Sequence, residues 1–166
     1  FEKDPKGKLY ATFRSRRLSA EEIRDAMLFA SGELNLISGG IPARPDLNRE
    51  VAFQPRQIMG GVASVYEPDP LPEQRNRRTI YVEKIRGLRD PFLETFNQPG
   101  PDNSCEVRET STVAPQALTL MNAEEIQDRA LAFAHRLLRG KKREPENLVI
   151  EEAFQLALGR TATQDE

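Results

Sequence analysis

The side chains best suited to catalysis in this sequence are a single histidine, His135, and a single cysteine, Cys105. The ordinary pKa of histidine lies close to neutral pH, so His135 is the natural candidate for a general acid or base. Helical spacing, however, places it opposite an apolar stripe, and no nucleophile is spaced to pair with it. Cys105 has no histidine partner in a recognisable motif. The sequence therefore predicts no catalytic residue.

Metal and cofactor chemistry has equally little support in the sequence. One cysteine and one histidine cannot build the usual Cys/His zinc frameworks. The haem-attachment pattern C-x-x-C-H is missing, so any haem would belong to another domain. We predict no cofactor-binding and no metal-binding residue in this chain.

Two groups of arginines could bind anions. The planar guanidinium presents several N–H donors to carboxylate, sulfate or phosphate. The two groups are Arg14, Arg16 and Arg17, and Arg75, Arg77 and Arg78. The chain carries 24 basic and 26 acidic side chains, which argues against a nucleic-acid partner and makes internal ion pairs the simpler interpretation.

Length and composition are typical of one soluble globular domain. The chain has 166 residues, of which 38% are hydrophobic and 30% charged. No apolar run approaches the roughly 20 residues of a membrane span, and no signal peptide is recognisable. Because it opens at Phe1, we interpret residues 1–166 as a single domain that is a fragment of a larger multidomain protein.

Helical signals dominate the elements that must position these side chains. Ser19 and Glu22 form a capping-box pattern that begins a helix over residues 20–31. Asp90 and Pro91 begin a short helix, and a further helix covers residues 116–121. Asn122 is expected to cap an amphipathic helix up to residue 138, and a last helix covers residues 146–158.

Between these helices, prolines and glycines interrupt residues 36–76, which we predict to be an irregular insert. Short extended pieces are expected at residues 51–53 and 62–66, and the alternating residues 78–85 predict a strand. The fold class is thus mainly α, a small helical domain with a minor short β element and long irregular loops.

Six motifs carry a family resemblance that covers nearly the whole chain. They are RRLSAEEIRDAMLFASGELN (16–35), Gly39-Gly40, RRTIYVEKIRG (77–87), PFLETFNQP (91–99), SCEVRETSTVAPQALTLMN (104–122) and LALGR (156–160). In this order they resemble the Planctomycete Secreted Domain family, whose members are large secreted proteins. The resemblance implies an extracytoplasmic module beside a second planctomycete-specific domain and, often, a cytochrome c domain. It implies no activity, and residues 50–74 depart from its pattern.

Three functions remain open. The first is a non-catalytic accessory or interaction module that contacts other domains of the parent protein, an extracellular polysaccharide or another protein. Its expected surface comprises Arg77, Arg78, Tyr81, Arg108, Thr110, Ser111 and Thr112. The second is part of a polysaccharide hydrolase, which requires an arginine and two of Glu83, Glu94, Glu106 and Glu109 in one cleft. The third is a docking module for a cytochrome c domain.

Overall fold

A computed structural model of the protein describes residues 16–100, 104–139 and 145–166. Predictions about Arg14 and the rest of residues 1–15 lie outside this part of the chain. The described residues form seven α-helices: α1 (Ala20–Ser31), α2 (Arg49–Met59), α3 (Pro72–Arg75), α4 (Pro91–Thr95), α5 (Ala114–Asn122), α6 (Glu124–Leu138) and α7 (Glu146–Leu158). Among them, no helix is both long and apolar enough to cross a bilayer. The mainly helical prediction is confirmed.

Helix α1 begins and ends as its sequence predicts. The Ser19 hydroxyl accepts a hydrogen bond from the Glu22 backbone N–H, and the Glu22 carboxylate accepts one from Ser19 N–H. At the other end, Gly32 adopts the left-handed conformation (φ 80°) that closes a helix. Helix α7 likewise has its predicted bounds and ends at the left-handed Gly159.

The prediction of an irregular chain over residues 36–76 is wrong for α2, which also replaces the extended piece expected at residues 51–53. Asn48 caps this helix by accepting a hydrogen bond from Glu50 N–H, although Pro55 lies inside it. Tyr66 N–H donates to the carbonyl of the buried Ala52, 3.0 Å away. The cap and this tertiary contact therefore outweigh the cost of an interior proline.

The predicted strand over residues 78–85 is also wrong, and the described residues contain no strand. Residues Thr79–Tyr81 form a 3-10 turn, and only two isolated parallel bridges occur nearby, Asn35↔Arg77 and Ala43↔Val82. Residues 62–66 likewise form no strand. An alternating pattern needs a neighbouring strand to pair with, and here the neighbour is an irregular loop. The alternation instead divides side chains between the interior and the surface.

The apolar core lies where α1, α4 and α6 meet. Ala20 of α1 and three residues around α4, Phe92, Leu93 and Phe96, are its buried members, and Ile126 of α6 packs against them. The Phe92 and Phe96 rings lie 4.9 Å apart between centroids. Helix α4 and Phe96, which follows it, thus supply three of the four buried residues of this cluster, and Asp90 caps the helix by accepting hydrogen bonds from Phe92 and Leu93 N–H.

Helix α6 starts differently from its prediction. Its N-cap is Ala123, which ends α5 and provides no side-chain cap, while the Asn122 amide donates to the Leu118 carbonyl. The expected apolar stripe contributes Ile126 and the buried Leu137 to the interior, but Leu138 is exposed. Much of the apolar surface of the C-terminal helices consequently faces solvent.

Candidate functional site

The hydroxyl-rich segment of residues 104–113 is anchored by one buried side chain, Gln116 in the first turn of α5. Its carbonyl oxygen accepts a hydrogen bond from Arg17 at 2.6 Å, and its amide nitrogen donates to the Thr95 carbonyl at 2.9 Å. The same nitrogen lies 3.1 Å from Asn97 Oδ1, which also accepts from Ser111. Gln116 therefore joins the segment to the chain before α1 and to the end of α4.

Three of the predicted surface residues in this segment are located as follows. The Thr112 hydroxyl accepts a hydrogen bond from Arg17 at 2.6 Å, and Ser111 donates to Asn97 at 2.8 Å. Thr110 is exposed. Internal hydrogen bonds thus engage the polar groups of Ser111 and Thr112, and the polarity of the segment follows from the network around Gln116.

Arg108 belongs to an ion pair with the first turn of α1. Its guanidinium donates to Glu21 Oε2 at 2.7 Å, and Gln98 donates to the other carboxylate oxygen at 3.2 Å. Partial burial alone would raise the pKa of Glu21, but the hydrogen bonds from Arg108, its own backbone and Gln98 lower that pKa to about 2. The ion pair between Arg108 and Glu21 therefore holds residues 104–113 against α1.

Arg77 is buried, with 7% of its surface exposed, and its guanidinium holds a loop rather than facing solvent. It donates to the carbonyls of Ile37, Gly39 and Ile41, and it lies 4.7 Å from the Tyr81 ring centroid. This geometry combines three backbone hydrogen bonds with a cation–π contact. Arg78, by contrast, is half exposed, with its Nε 3.6 Å from Asp25.

A cleft between residues 79–90 and 93–100 brings together two of the carboxylates that the hydrolase alternative requires. Glu83 and Glu94 both line it, together with Arg89, over a floor that includes Leu88 and Leu93. Each carboxylate has its own cation: Arg44 donates to Glu83 at 2.5 Å, and Arg89 donates to Glu94 at 2.7 Å. Glu106 and Glu109 do not line this cleft.

A second cleft holds a charged cluster that the sequence did not indicate. It is lined by Arg24 of α1, by Asp90 at the start of α4, and by Glu125 and Arg129 of α6. Glu125 Oε1 is buried and has no hydrogen bond within the described part of the chain. Burial, reinforced by the nearby Asp90 carboxylate, raises the pKa of Glu125 to about 7. Burial also raises the pKa of Asp90.

Arg24 links this cluster to the Arg77 region. Its guanidinium donates to the carbonyls of Arg75 and Arg77, at 3.1 and 3.0 Å. Next to it, Asp25 accepts hydrogen bonds from the N–H and hydroxyl of Thr79, at 2.7 and 2.6 Å. Burial lowers the pKa of Arg24, so the neighbouring carbonyls and carboxylates are what stabilise its charge.

The single cysteine and histidine are both exposed. The Cys105 thiol lies 3.2 Å from the Val107 carbonyl, and His135 lines an open groove on α6. Among the described residues, no group of three histidine, cysteine, aspartate or glutamate side chains is arranged to hold a metal ion. The two residues that the sequence marks as chemically able therefore lie apart from the Glu125 cluster.

Comparison with known proteins gives a family. A family model described as PSD1, protein of unknown function (DUF1553), matches residues 1–166. The chain belongs to the DUF1553 family. No curated protein and no solved structure matched it. Membership is consistent with the resemblance that the sequence motifs carry, and it brings no activity with it.

In this DUF1553 chain, the C-terminal helices leave large apolar side chains in solvent. Leu118 and Met121 of α5, Leu131 and Leu138 of α6, and Leu148 of α7 are between 48 and 72% exposed. Helix α7 contains no buried residue. Such exposure over neighbouring elements is unusual for a surface that meets only water, although single exposed leucines are ordinary.

The sequence had already marked Asp90, but as a helix-capping residue. That role is confirmed for Asp90. Glu125 does not complete a capping box with Asn122 and instead approaches Arg24, which is about 100 residues away in the chain. No local signal marks its burial, because a charged carboxylate disfavours the interior and Arg24 lies on a distant helix.

Proposed function

We propose that this chain is a non-catalytic interaction module, and that other domains of the same parent polypeptide dock on α5, α6 and α7. One observation carries the proposal: large apolar side chains of these three helices are exposed, whereas the buried cluster is formed at α1 and α4 with Ile126 of α6 packed against it. Transferring one leucine side chain from water into an interface stabilises an assembly by about 1.5–3 kcal/mol.

The polar residues that the sequence predicted to form a binding surface also support the proposal. Arg77, Arg108, Ser111 and Thr112 belong to the surface expected from the sequence, and each already has a partner within the chain. A ligand that used them would have to replace those hydrogen bonds. Apolar contacts on α5–α7 need no such exchange, so this face is the better docking surface.

The extracytoplasmic location and the identity of the docked domain are part of the proposal. Both derive from the family resemblance, which implies a secreted multidomain protein. A cytochrome c domain is one companion that the resemblance implies. The experiment below identifies the docked domain without assuming which one it is.

Photo-crosslinking in the full-length parent tests the proposal. A benzophenone amino acid replaces Met121, Leu131 or Leu148 in turn, and Arg56, an exposed residue of α2, serves as the control position. We expect crosslinks from the three test positions to map onto peptides outside residues 1–166. Equal crosslinking yields at the test and control positions would contradict the proposal.

The cleft that contains Glu83 and Glu94 favours a second candidate, a polysaccharide hydrolase whose site is completed by another domain. Both carboxylates and Arg89 line one cleft, as glycosidic chemistry with paired carboxylates requires. In the full-length parent, Glu83→Gln and Glu94→Gln would each abolish turnover of a polysaccharide substrate, whereas Glu109→Gln would not. Unchanged turnover in both cleft variants would remove this candidate.

A further inference from the structure

A groove runs along α6 beside the C-terminal end of α1, and its two ends differ in charge. At the end nearer the start of α6, Glu33 and Asp128 line the groove, with Arg129 2.9 Å from Glu33. At the other end the groove is lined by His135, Arg136 and Arg139. From residue 129 to residue 139 the helix extends about 15 Å.

The basic end is built around an arginine in a fixed position. Arg136 Nη1 donates to the carbonyls of Phe29 and Ala30, at 2.8 and 2.7 Å, in the last turn of α1. Gly32 leaves room for it, because a Cβ at this position would lie only 3.1 Å from Arg136 Cδ. Both bonds are made by Nη1, so an anion that meets another edge of the guanidinium need not replace them. The guanidinium is held at the groove before any ligand arrives, which lowers the entropy cost of binding.

The basic end of the groove contains a second arginine. Arg139 is exposed, one helical turn beyond Arg136. Between the two ends lies an apolar step, Leu131, which is 72% exposed. The groove thus presents an acidic end, an apolar middle and a basic end.

We propose that this groove binds a peptide segment of a partner protein whose acidic residues meet Arg136 and Arg139. An apolar side chain of that segment covers Leu131, and its neutral or basic residues meet Asp128, since Glu33 is already paired with Arg129. This inference rests on the proposed function and deepens it, since it names the chemistry of one partner segment. Charge complementarity fixes the direction of the peptide in the groove.

A uniform polyanion fits the groove less well than such a peptide. Nucleic acid or a sulfated polysaccharide carries its charges at short, regular intervals, so its far end would face Glu33 and Asp128. Like charges in close apposition oppose binding, and such a ligand has no apolar group to cover Leu131. The acidic end of the groove therefore selects a ligand of mixed charge.

Backbone NMR of residues 1–166 tests the inference with defined probes. The first probe is a 15-residue peptide with glutamates at one end, leucines in the middle and lysines at the other, and the second has the same composition with glutamates and lysines alternating along its length. Heparin and polyaspartate are the uniform polyanions. We expect saturable shifts at residues 131–139 with the first peptide, several-fold tighter binding of the first peptide than of the second, and weaker binding as salt rises.

Two charge-reversal variants supply the matched comparison. Arg139→Glu should weaken peptide binding at least fivefold, whereas Arg86→Glu, an equal change in net charge at an exposed residue outside the groove, should leave it unchanged. The inference is overturned if neither peptide produces saturable shifts up to millimolar concentration. It is also overturned if the two peptides bind equally, or if heparin or polyaspartate binds this groove more tightly than the first peptide.

The crosslinking and peptide-binding experiments distinguish an error in the groove inference from an error in the proposed function. Crosslinks from Met121 and Leu148, which do not line the groove, report docking on α5 and α7 whatever the peptides do. If those positions form crosslinks but neither peptide binds, only the inference about the groove fails. Saturable peptide binding without any crosslink outside residues 1–166 would remove the interdomain docking.

Discussion

The region around α1 and α4 buries polar side chains, whereas the region of α5–α7 exposes apolar side chains. In the first, the buried polar residues Arg77, Thr79 and Gln116 are hydrogen-bonded within the chain. In the second, Leu131 and Leu148 are 72% and 48% exposed. The first region holds its buried polar side chains mainly by internal hydrogen bonds, and the second presents apolar side chains to solvent.

This difference places the proposed function on α5–α7 and not on the residues whose side chains are best suited to catalysis. Buried polar groups must be hydrogen-bonded, so a dense network of them stabilises and specifies the fold. Exposed apolar side chains contribute little to the stability of the fold. The comparison therefore predicts large stability losses for polar substitutions in the first region and small ones for apolar substitutions in the second.

The largest effect is expected for Arg77→Met. Methionine keeps much of the apolar stem but leaves the carbonyls of Ile37, Gly39 and Ile41 without their donor. We expect the free energy of unfolding, measured by urea denaturation, to fall by about 3 kcal/mol or more. The matched control is Arg78→Met, which is half exposed and should cost less than about 0.5 kcal/mol. Equal losses at both positions would show that Arg77 is not a structural clamp.

Gln116→Leu should have the next largest effect. Leucine has a similar volume, but it removes the acceptor of Arg17 and the donor to Thr95, and both groups lose a hydrogen bond. We expect a loss of about 2–3 kcal/mol and faster amide hydrogen exchange in residues 104–113. Gln127→Leu is the control, since that exposed amide makes a single bond to the Met121 carbonyl. Unchanged exchange in residues 104–113 would refute the anchoring role of Gln116.

Glu125→Gln tests the charged cluster through pH. The pKa of Glu125 is about 7 in the folded protein and about 4.5 when unfolded, so ionisation is opposed by the fold. The wild-type chain should therefore lose stability as pH rises from 4.5 to 7, by an amount on the order of 2 kcal/mol. The glutamine variant should lack this loss and be the more stable of the two at pH 8. Glu124→Gln, at an exposed neighbour, should follow the wild-type curve.

Local signals in the sequence located α1 and α7 correctly but missed α2 and α3, and long-range contacts explain part of what they missed. The bounds of α1 and α7 follow from nearby residues, such as Ser19 with Glu22 and the closing Gly159. The strand expected at residues 78–85 failed because its neighbour in space is a loop some 40 residues earlier, which pairs with it only through an isolated bridge, Ala43↔Val82. The burial of Glu125 depends on residues of α1 that are still more distant. Periodicity and capping patterns contain no information at such separations.

The smallest effect on stability is expected for Leu148→Ser. Because Leu148 is 48% exposed and α7 buries no residue, the substitution removes little buried apolar area, and the free energy of unfolding should change by less than about 0.5 kcal/mol. Leu93→Ser is the matched change in the core, where Leu93 is 3% exposed, and it should cost about 3 kcal/mol or more. A large loss at Leu148 would mean that α7 is held by its apolar face within this chain. A small loss at Leu148, combined with weaker association of the full-length domains, would assign that face to a partner.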